Sequence, residues 1–268
     1  MLAAESRDET RAAARTAAWG LVIFTATRLI GLVAASMSMA VAVAQAVAAE
    51  YGAGRLGVAW SDPMQPLPSG GQMTRRAGIG AACGAGAALV VALLARMTGA
   101  AIFDKPESTS LSLVLIGLVT AALNAMRDEL LLHGITLRAL SSVDSAIARA
   151  LACGVTSAAT ALGDPTTTPR SVMAHFLLGT GFGSLWIKDR GAWMPVGAHA
   201  AFLFMTGTVL GGGALQMRNA STSWGGAEAG ILGGTVALVA LAPFAIVALS
   251  QVRGLTKSRN SPESKDSG

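Results

Sequence analysis

Asn124-Ala125-Met126-Arg127-Asp128-Glu129-Leu130-Leu131-Leu132-His133-Gly134-Ile135-Thr136-Leu137-Arg138 is the stretch on which the reading of the chain turns. An Arg, two adjacent carboxylates and a His close an apolar run that begins near Leu111. An ionisable group at membrane depth costs about 2.5–3.5 kcal/mol on insertion scales. A segment that keeps four of them between positions 127 and 133 therefore has a use for them. On a helix, Glu129 and His133 share a face at i,i+4 spacing. Asn124 and Asp128 form a second such pair, rotated about 100° from the first.

Composition supplies the setting for this patch. The chain is 52% hydrophobic and 13% charged, so several apolar runs reach the ~20 residues that cross a bilayer. The expected fold is all-α, a polytopic transmembrane helical bundle of about seven spans. The 32 glycines, with abundant Ala, suit close helix packing in lipid. The net charge of +5 sits mostly in termini and loops, so it speaks to topology and to membrane lipid as a partner. No basic stripe points to nucleic acid. Cys83 and Cys153 lie in apolar segments without CxxC spacing and are expected to pack as small apolar groups. Residues 1–16 mix both charge signs, so no cleaved signal peptide is expected.

The expected organisation is a polar lead-in over 1–16, a helical membrane domain over 17–252 and a disordered basic tail over 253–268. The first apolar run, Ala18 to Ala49, carries Arg28 and reads as one tilted helix. Glu50 to Gly78, with Pro63, Pro66, Pro68 and Ser69-Gly70-Gly71, reads as a loop. Further spans are expected over Ile79–Leu94 extending toward Phe103, Leu111–Leu140, Ser145–Leu162, Ser171–Ile187, Trp193–Leu210 and Ala229–Val252. The third is too long for one crossing and is expected to bend or emerge near the charged patch. Ser108 or Thr109 is its candidate cap. Gly179 and Gly183 form a small-xxx-small face for a neighbouring helix. Gly211 through Glu228 reads as a Gly-rich loop, and Trp193 as an interfacial anchor.

Three local patterns together resemble the CPBP family of intramembrane proteases, which includes CAAX-prenyl proteases and bacteriocin-processing enzymes. That family carries Glu-Glu-x-x-x-Arg, usually followed by Gly, at the end of a transmembrane helix. Here Asp128-Glu129-Leu130-Leu131-Leu132-His133-Gly134 occupies the pattern, with Asp for the first Glu and His for the Arg. Gly179-Thr180-Gly181-Phe182-Gly183, then Arg190-Gly191-Ala192-Trp193-Met194-Pro195 and His199, resembles the family's closing segment. The resemblance covers about 110–204. It departs in two places. The family's Phe-x-x-x-His motif lands near Ser157-Ala158-Ala159-Thr160-Ala161, which has no His, and Leu203 stands where the family has Asn or Asp.

The resemblance implies an intramembrane endopeptidase in which a carboxylate activates a water against a peptide bond near the membrane surface. Asp128 is then the nominal base, Glu129 the intact neighbour and His199 the retained histidine, with an Asn or His supporting the oxyanion. His175 is a candidate substitute for the missing histidine, and His133 a structural partner for Glu129. The implied substrate is a peptide or membrane protein, and the implied location is an integral-membrane one, in a bacterial plasma membrane. No cofactor is expected. Zn²⁺ on Glu129, His133, His175 and His199 is a separate option, with no HExxH spacing to support it. The alternative function is a catalytically inactive scaffold or binding protein on the same fold. A small-solute transporter is a third class, and the internal repeat it requires is not found.

Overall fold

The computed structural model describes residues 11–20, 22–26, 38–62, 65–106, 110–162, 164, 166–219, 222–226 and 230–259, and the structural statements below concern these. Arg28, Pro63, Ser108, Thr109 and the last residues of the expected tail lie outside them.

The chain is mostly helical. Residues 11–20 and 22–26 are helical, followed by α1 (Ser38–Arg55) and α2 (Gly70–Met97). A short strand β1 (Ala101–Asp104) precedes α3 (Leu111–Asp128). At the charged patch α3 opens into a π-helical turn, Glu129–Gly134, and resumes as α4 (Ile135–Ala139). Then come α5 (Ala146–Ala161), α6 (Pro169–Asp189) and α7 (Trp193–Leu203), the last ending in a second π turn, Phe204–Val209. Strand β2 (Gln216–Asn219), the one-turn helix α8 (Thr222–Gly225) and α9 (Thr235–Arg259) complete the order.

Local chemistry explains most of the boundaries. Ser69-Gly70-Gly71-Gln72 starts a helix, where the glycines had suggested a loop. Ser69 Oγ accepts the Gln72 N–H at 3.3 Å, and the Gln72 side chain answers on the Ser69 N–H at 3.0 Å. Thr168 and Ser171 exchange the same pair of bonds at the start of α6, with Pro169 in the first turn, so α6 begins two residues earlier than expected. α5 is capped by Ser145, whose Oγ accepts the Ala148 N–H at 3.2 Å, while Ser110 precedes α3 without a side-chain capping bond. α9 continues through the expected start of the tail to Arg259.

One expectation of secondary structure changes. The bundle is not purely α: β1 pairs antiparallel with β2, Ala101 opposite Asn219 and Asp104 opposite Gln216. The Gly-rich stretch after Leu210 thus holds a strand, because its backbone finds partners on β1 across more than a hundred residues. The first apolar run, expected as one helix, is helical at each of its described stretches, 18–20, 22–26 and 38–49.

Among the described residues, three helices have the length and apolarity to cross a membrane: Gly70–Met97, Leu111–Ala139 and Thr235–Arg253. α1, α5, α6 and α7 hold the other expected spans and are shorter or less apolar. The outer face of α3 exposes Leu111, Leu113, Leu115, Ile116, Leu118 and Val119, an apolar surface suited to lipid.

Glycine sets how closely the helices approach. A Cβ on Gly84 would stand 1.8 Å from the Ala198 carbonyl oxygen, and one on Gly80 1.9 Å from that of Met194. Gly197 answers from the other side, against the Ala77 carbonyl. α2 and α7 therefore cross backbone to backbone through a Gly-xxx-Gly face. The small face of α6 does the same against α5: a Cβ on Gly183 would meet Cys153 Cβ at 2.5 Å. At the far end of α6, Asp189 Oδ2 accepts the Met194 N–H at 3.1 Å and ties the start of α7 to it. Asp189 lies in the connection beyond the expected span. Burial pushes its carboxyl above the usual carboxylate range, partly offset by the Met194 N–H and the nearby Arg76 guanidinium. Trp193, expected at the interface, packs at 4.7 Å on Trp60 and donates to Ser61 Oγ.

Gly84→Ala is expected to destabilise the protein by about 1–3 kcal/mol through overpacking. Gly86→Ala, at a position with nothing within 4 Å of a built Cβ, leaves the unfolding midpoint unchanged or slightly raised. Thermal unfolding in detergent compares the two, and equal midpoints would contradict the close crossing.

Candidate active site

The π turn is where the fold concentrates polar side chains. Glu129 begins it and is 0% exposed. Its Oε2 accepts His133 Nδ1 and Trp186 Nε1, both at 2.8 Å, and its Oε1 accepts His199 Nδ1 at 2.8 Å. Three donors from α3, α6 and α7 thus converge on one carboxylate inside the protein. Ionisable groups at membrane depth face the bundle interior and pair there for the same reason. His133 is also fully used: its Nε2 lies 2.7 Å from Ser157 Oγ on α5.

The cluster sits at the seam between two apolar clusters. One includes Leu178, Phe182, Leu185 and Phe202. The other includes Phe24, Leu130, Leu131 and Trp186. Phe182 stacks on the His199 ring at 4.7 Å and 22°, so His199 is fixed by a ring face as well as by Glu129.

Asp128 faces a different way. Its Oδ1 accepts Arg127 Nε at 2.7 Å and Arg127 Nη2 at 2.6 Å. Arg127 is itself buried, and its Nη1 donates to Gln45 Oε1 at 2.5 Å and Asn124 Oδ1 at 3.2 Å. Asn124 and Asp128, the second helix-face pair of the sequence, are joined through this guanidinium. His175 donates Nδ1 to the Ser171 carbonyl at 2.8 Å, one turn back on its own helix.

The five expected site residues therefore divide. Glu129, His133 and His199 meet in one hydrogen-bonded cluster. Asp128 is held by Arg127 and His175 by its own helix. Asp128 thus lies outside the cluster of Glu129 and His199, because adjacent residues on a helix point about 100° apart.

A cavity of about 320 Å³ reunites part of the set. Asp128, His175, His199, Ser157 and Asn124 all line it, between apolar walls that include Leu178, Phe202 and Leu203. Glu129 lies behind this lining, reached through His199 and His133. A larger cavity of about 670 Å³ holds Arg138, Arg149, Arg190 and Asp62 and none of the expected site residues. Among the described residues no group of three or more His, Cys, Asp or Glu side chains is placed to hold a metal ion. Within the cluster, Nδ1 of both His133 and His199 is engaged by Glu129 rather than free for a ligand bond.

Trp186, Phe182 and Gln45 were missed in the sequence. A signal for Trp186 existed: it falls three residues after Gly183 and seven after Gly179, on the face read as a helix contact. Phe182, three residues after Gly179, carries the same mark, and Gln45 carries none.

Residues 110–205 match the family model of the type II CAAX prenyl endopeptidases, described as Rce1-like. That stretch is therefore similar to the domain of the CPBP-family proteases. The match spans the π turn, α5, α6 and α7, and so contains Asp128, Glu129, His133, Ser157, His175 and His199. The family is one of membrane-embedded proteases, in keeping with the three long apolar helices. No curated protein and no solved structure matches the chain.

Removing the carboxylate of Glu129 leaves three buried N–H donors without an acceptor, at about 1–3 kcal/mol each. Glu129→Ala is expected to be much less stable than Glu129→Gln, whose amide oxygen still accepts. Thermal unfolding in detergent reads the difference, and equal midpoints for wild type and Glu129→Ala would show that the cluster does not hold the helices.

Proposed function

We propose that the protein is an intramembrane endopeptidase of the CPBP type, hydrolysing a peptide or membrane-protein substrate in the cavity of about 320 Å³. One observation carries the reading: the cavity brings a carboxylate, Asp128, together with an imidazole, His199, that is locked from behind by a fully buried carboxylate, Glu129.

In this reading Asp128 holds the attacking water and takes its proton. General acid–base participation of this kind contributes typically ~10²–10⁴-fold. His199 has Nδ1 committed to Glu129, so Nε2 is the nitrogen left for substrate. Carrying a proton there, it supports the charge that develops on the carbonyl oxygen. Glu129 does not meet the substrate. It is a positioning residue that fixes both imidazoles. His175 is the second imidazole of the lining. The apolar walls suit a hydrophobic chain and limit water to the polar side of the cavity.

A second reading, a catalytically inactive scaffold, draws on two observations. Arg127 takes up Oδ1 of Asp128 with two N–H groups. Leu203 brings an apolar side chain to the cavity where the family pattern has Asn or Asp.

Peptide cleavage by the purified protein in detergent separates them. Asp128→Asn and His199→Gln are expected to lower cleavage by ~100-fold or more, measured at a temperature where thermal unfolding shows each variant still folded. Wild-type rates in both variants would remove this site from the reaction. No cleavage by wild type across a broad peptide library would move the assignment to the scaffold.

A further inference from the structure

Guanidinium groups gathered on one cavity without carboxylates to match them make a place for an anion. The cavity of about 670 Å³ is such a place. Arg138 of α4, Arg149 of α5 and Arg190 at the end of α6 line it, against the single carboxylate of Asp62. Among the described residues none of these three arginines forms an ion pair with a carboxylate. Arg149 Nε is buried and finds no hydrogen-bond acceptor among them. A buried donor left in this way is costly unless a ligand supplies the acceptor.

Backbone strain falls on the same cavity. Arg190 closes α6 in the left-handed conformation, at φ 52° and ψ 39°, a place that usually takes glycine. Among the described residues no other residue except glycine has a positive φ. Strain of this kind persists where the surroundings over-determine it, and it gathers at ligand-binding sites. The Arg190 carbonyl accepts the Asp62 N–H at 2.8 Å, so the strained turn and the Asp62 loop move as one unit. Arg138 lies across Gly57, where φ is 76° and a Cβ would stand 3.3 Å from Arg138 Nε.

Depth decides the kind of anion. The span Leu111–Ala139 ends at the cavity, with Leu137 and Arg138 in its wall, and the span Thr235–Arg253 ends just before Leu255, which lines it as well. Lys188 Nζ donates to Gln251 Oε1 at 3.2 Å and holds the ends of α6 and α9 together. The span Gly70–Met97 starts at the same end, where Arg76 Nε lies 3.6 Å from Asp189 Oδ1, beside Arg190. All three long apolar helices thus reach the membrane surface at the level of the cavity, where phospholipid phosphates lie. Basic pockets between membrane helices recognise headgroups at this depth.

We propose that the cavity of about 670 Å³ binds a phosphate ester, the headgroup of an anionic phospholipid, through Arg138, Arg149 and Arg190. The guanidinium forks take the phosphate oxygens, and Arg149 Nε gains the acceptor it lacks. Leu137, Ile187 and Leu255 give the acyl chains an apolar exit. The two cavities share no lining residue, so this site stands whether or not the smaller one hydrolyses peptides.

The test titrates the purified whole protein, in a non-ionic detergent, with dioleoylphosphatidylglycerol or dioleoylphosphatidylcholine, and counts bound lipid by native mass spectrometry. A single phosphatidylglycerol is expected to bind ~10-fold or more tightly than phosphatidylcholine, and inorganic phosphate at equal concentration does not displace it. Arg149→Gln and Arg190→Gln weaken it by ~5-fold each and the double variant by ~30-fold, with thermal unfolding showing each variant folded at the temperature of the titration. Arg75→Gln, at the same end of the bundle and outside the cavity, leaves it unchanged. Equal affinity for the two lipids overturns the headgroup site. So does an equal loss from Arg75→Gln and Arg149→Gln, which reduces it to the general attraction of a basic face. Displacement by inorganic phosphate overturns the lipid and gives the three arginines to a soluble anion.

Discussion

A single buried carboxylate organises the centre of this molecule. Glu129 accepts N–H groups from α3, α6 and α7 and reaches α5 through the second nitrogen of His133. Placed alone in an apolar bundle such a group is costly, and removing one partner of a buried charged pair costs about 3–5 kcal/mol. The cluster therefore constrains every helix that contributes to it. Each helix must present its donor at one depth and rotation, or the charge is left without its bonds.

Other features follow from that constraint. The π turn Glu129–Gly134 widens α3 where Glu129 and His133 must both face inward. π turns of this kind recur at functional sites because they re-aim side chains that a regular helix would misplace. Glycines thin the helix faces on either side. Gly179 and Gly183 let α6 lie against α5 close enough for Ser157 to meet His133, and Gly80 and Gly84 let α2 carry the backbone beside His199. Phe182 belongs to one apolar cluster and Trp186 to the other, and both touch the polar group between them. Apolar packing thus holds the polar bonds in register, and neither set is independent of the other.

The division of carboxylates is the functional consequence. Glu129 is sealed and saturated, while Asp128 opens on the cavity with Arg127 at its side. Two adjacent residues in one helix acquire opposite surroundings because the helix turns them about 100° apart, one toward the helix contact and one toward the cleft. A buried orienting group behind an open reacting surface is the general plan of sites that activate a nucleophile.

By itself the sequence determined what is local or periodic. The apolar runs, the Ser and Thr caps, the Glu129–His133 spacing and the small face of α6 are written within a few residues and need no partner to be read. The match over 110–205 extends as far as His199, which lies within it. Tertiary structure alone decided which of these groups meet. Trp186 and His199 lie 57 and 70 residues from the carboxylate they share, and Ser157 lies 24 residues from the ring it bonds. The pairing of β1 with β2 and the isolation of Asp128 from Glu129 were settled there too. The physical reason is common to all of them. Hydrogen-bond partners for buried groups are chosen by how whole helices rotate and pack, and that choice has no periodicity along the chain.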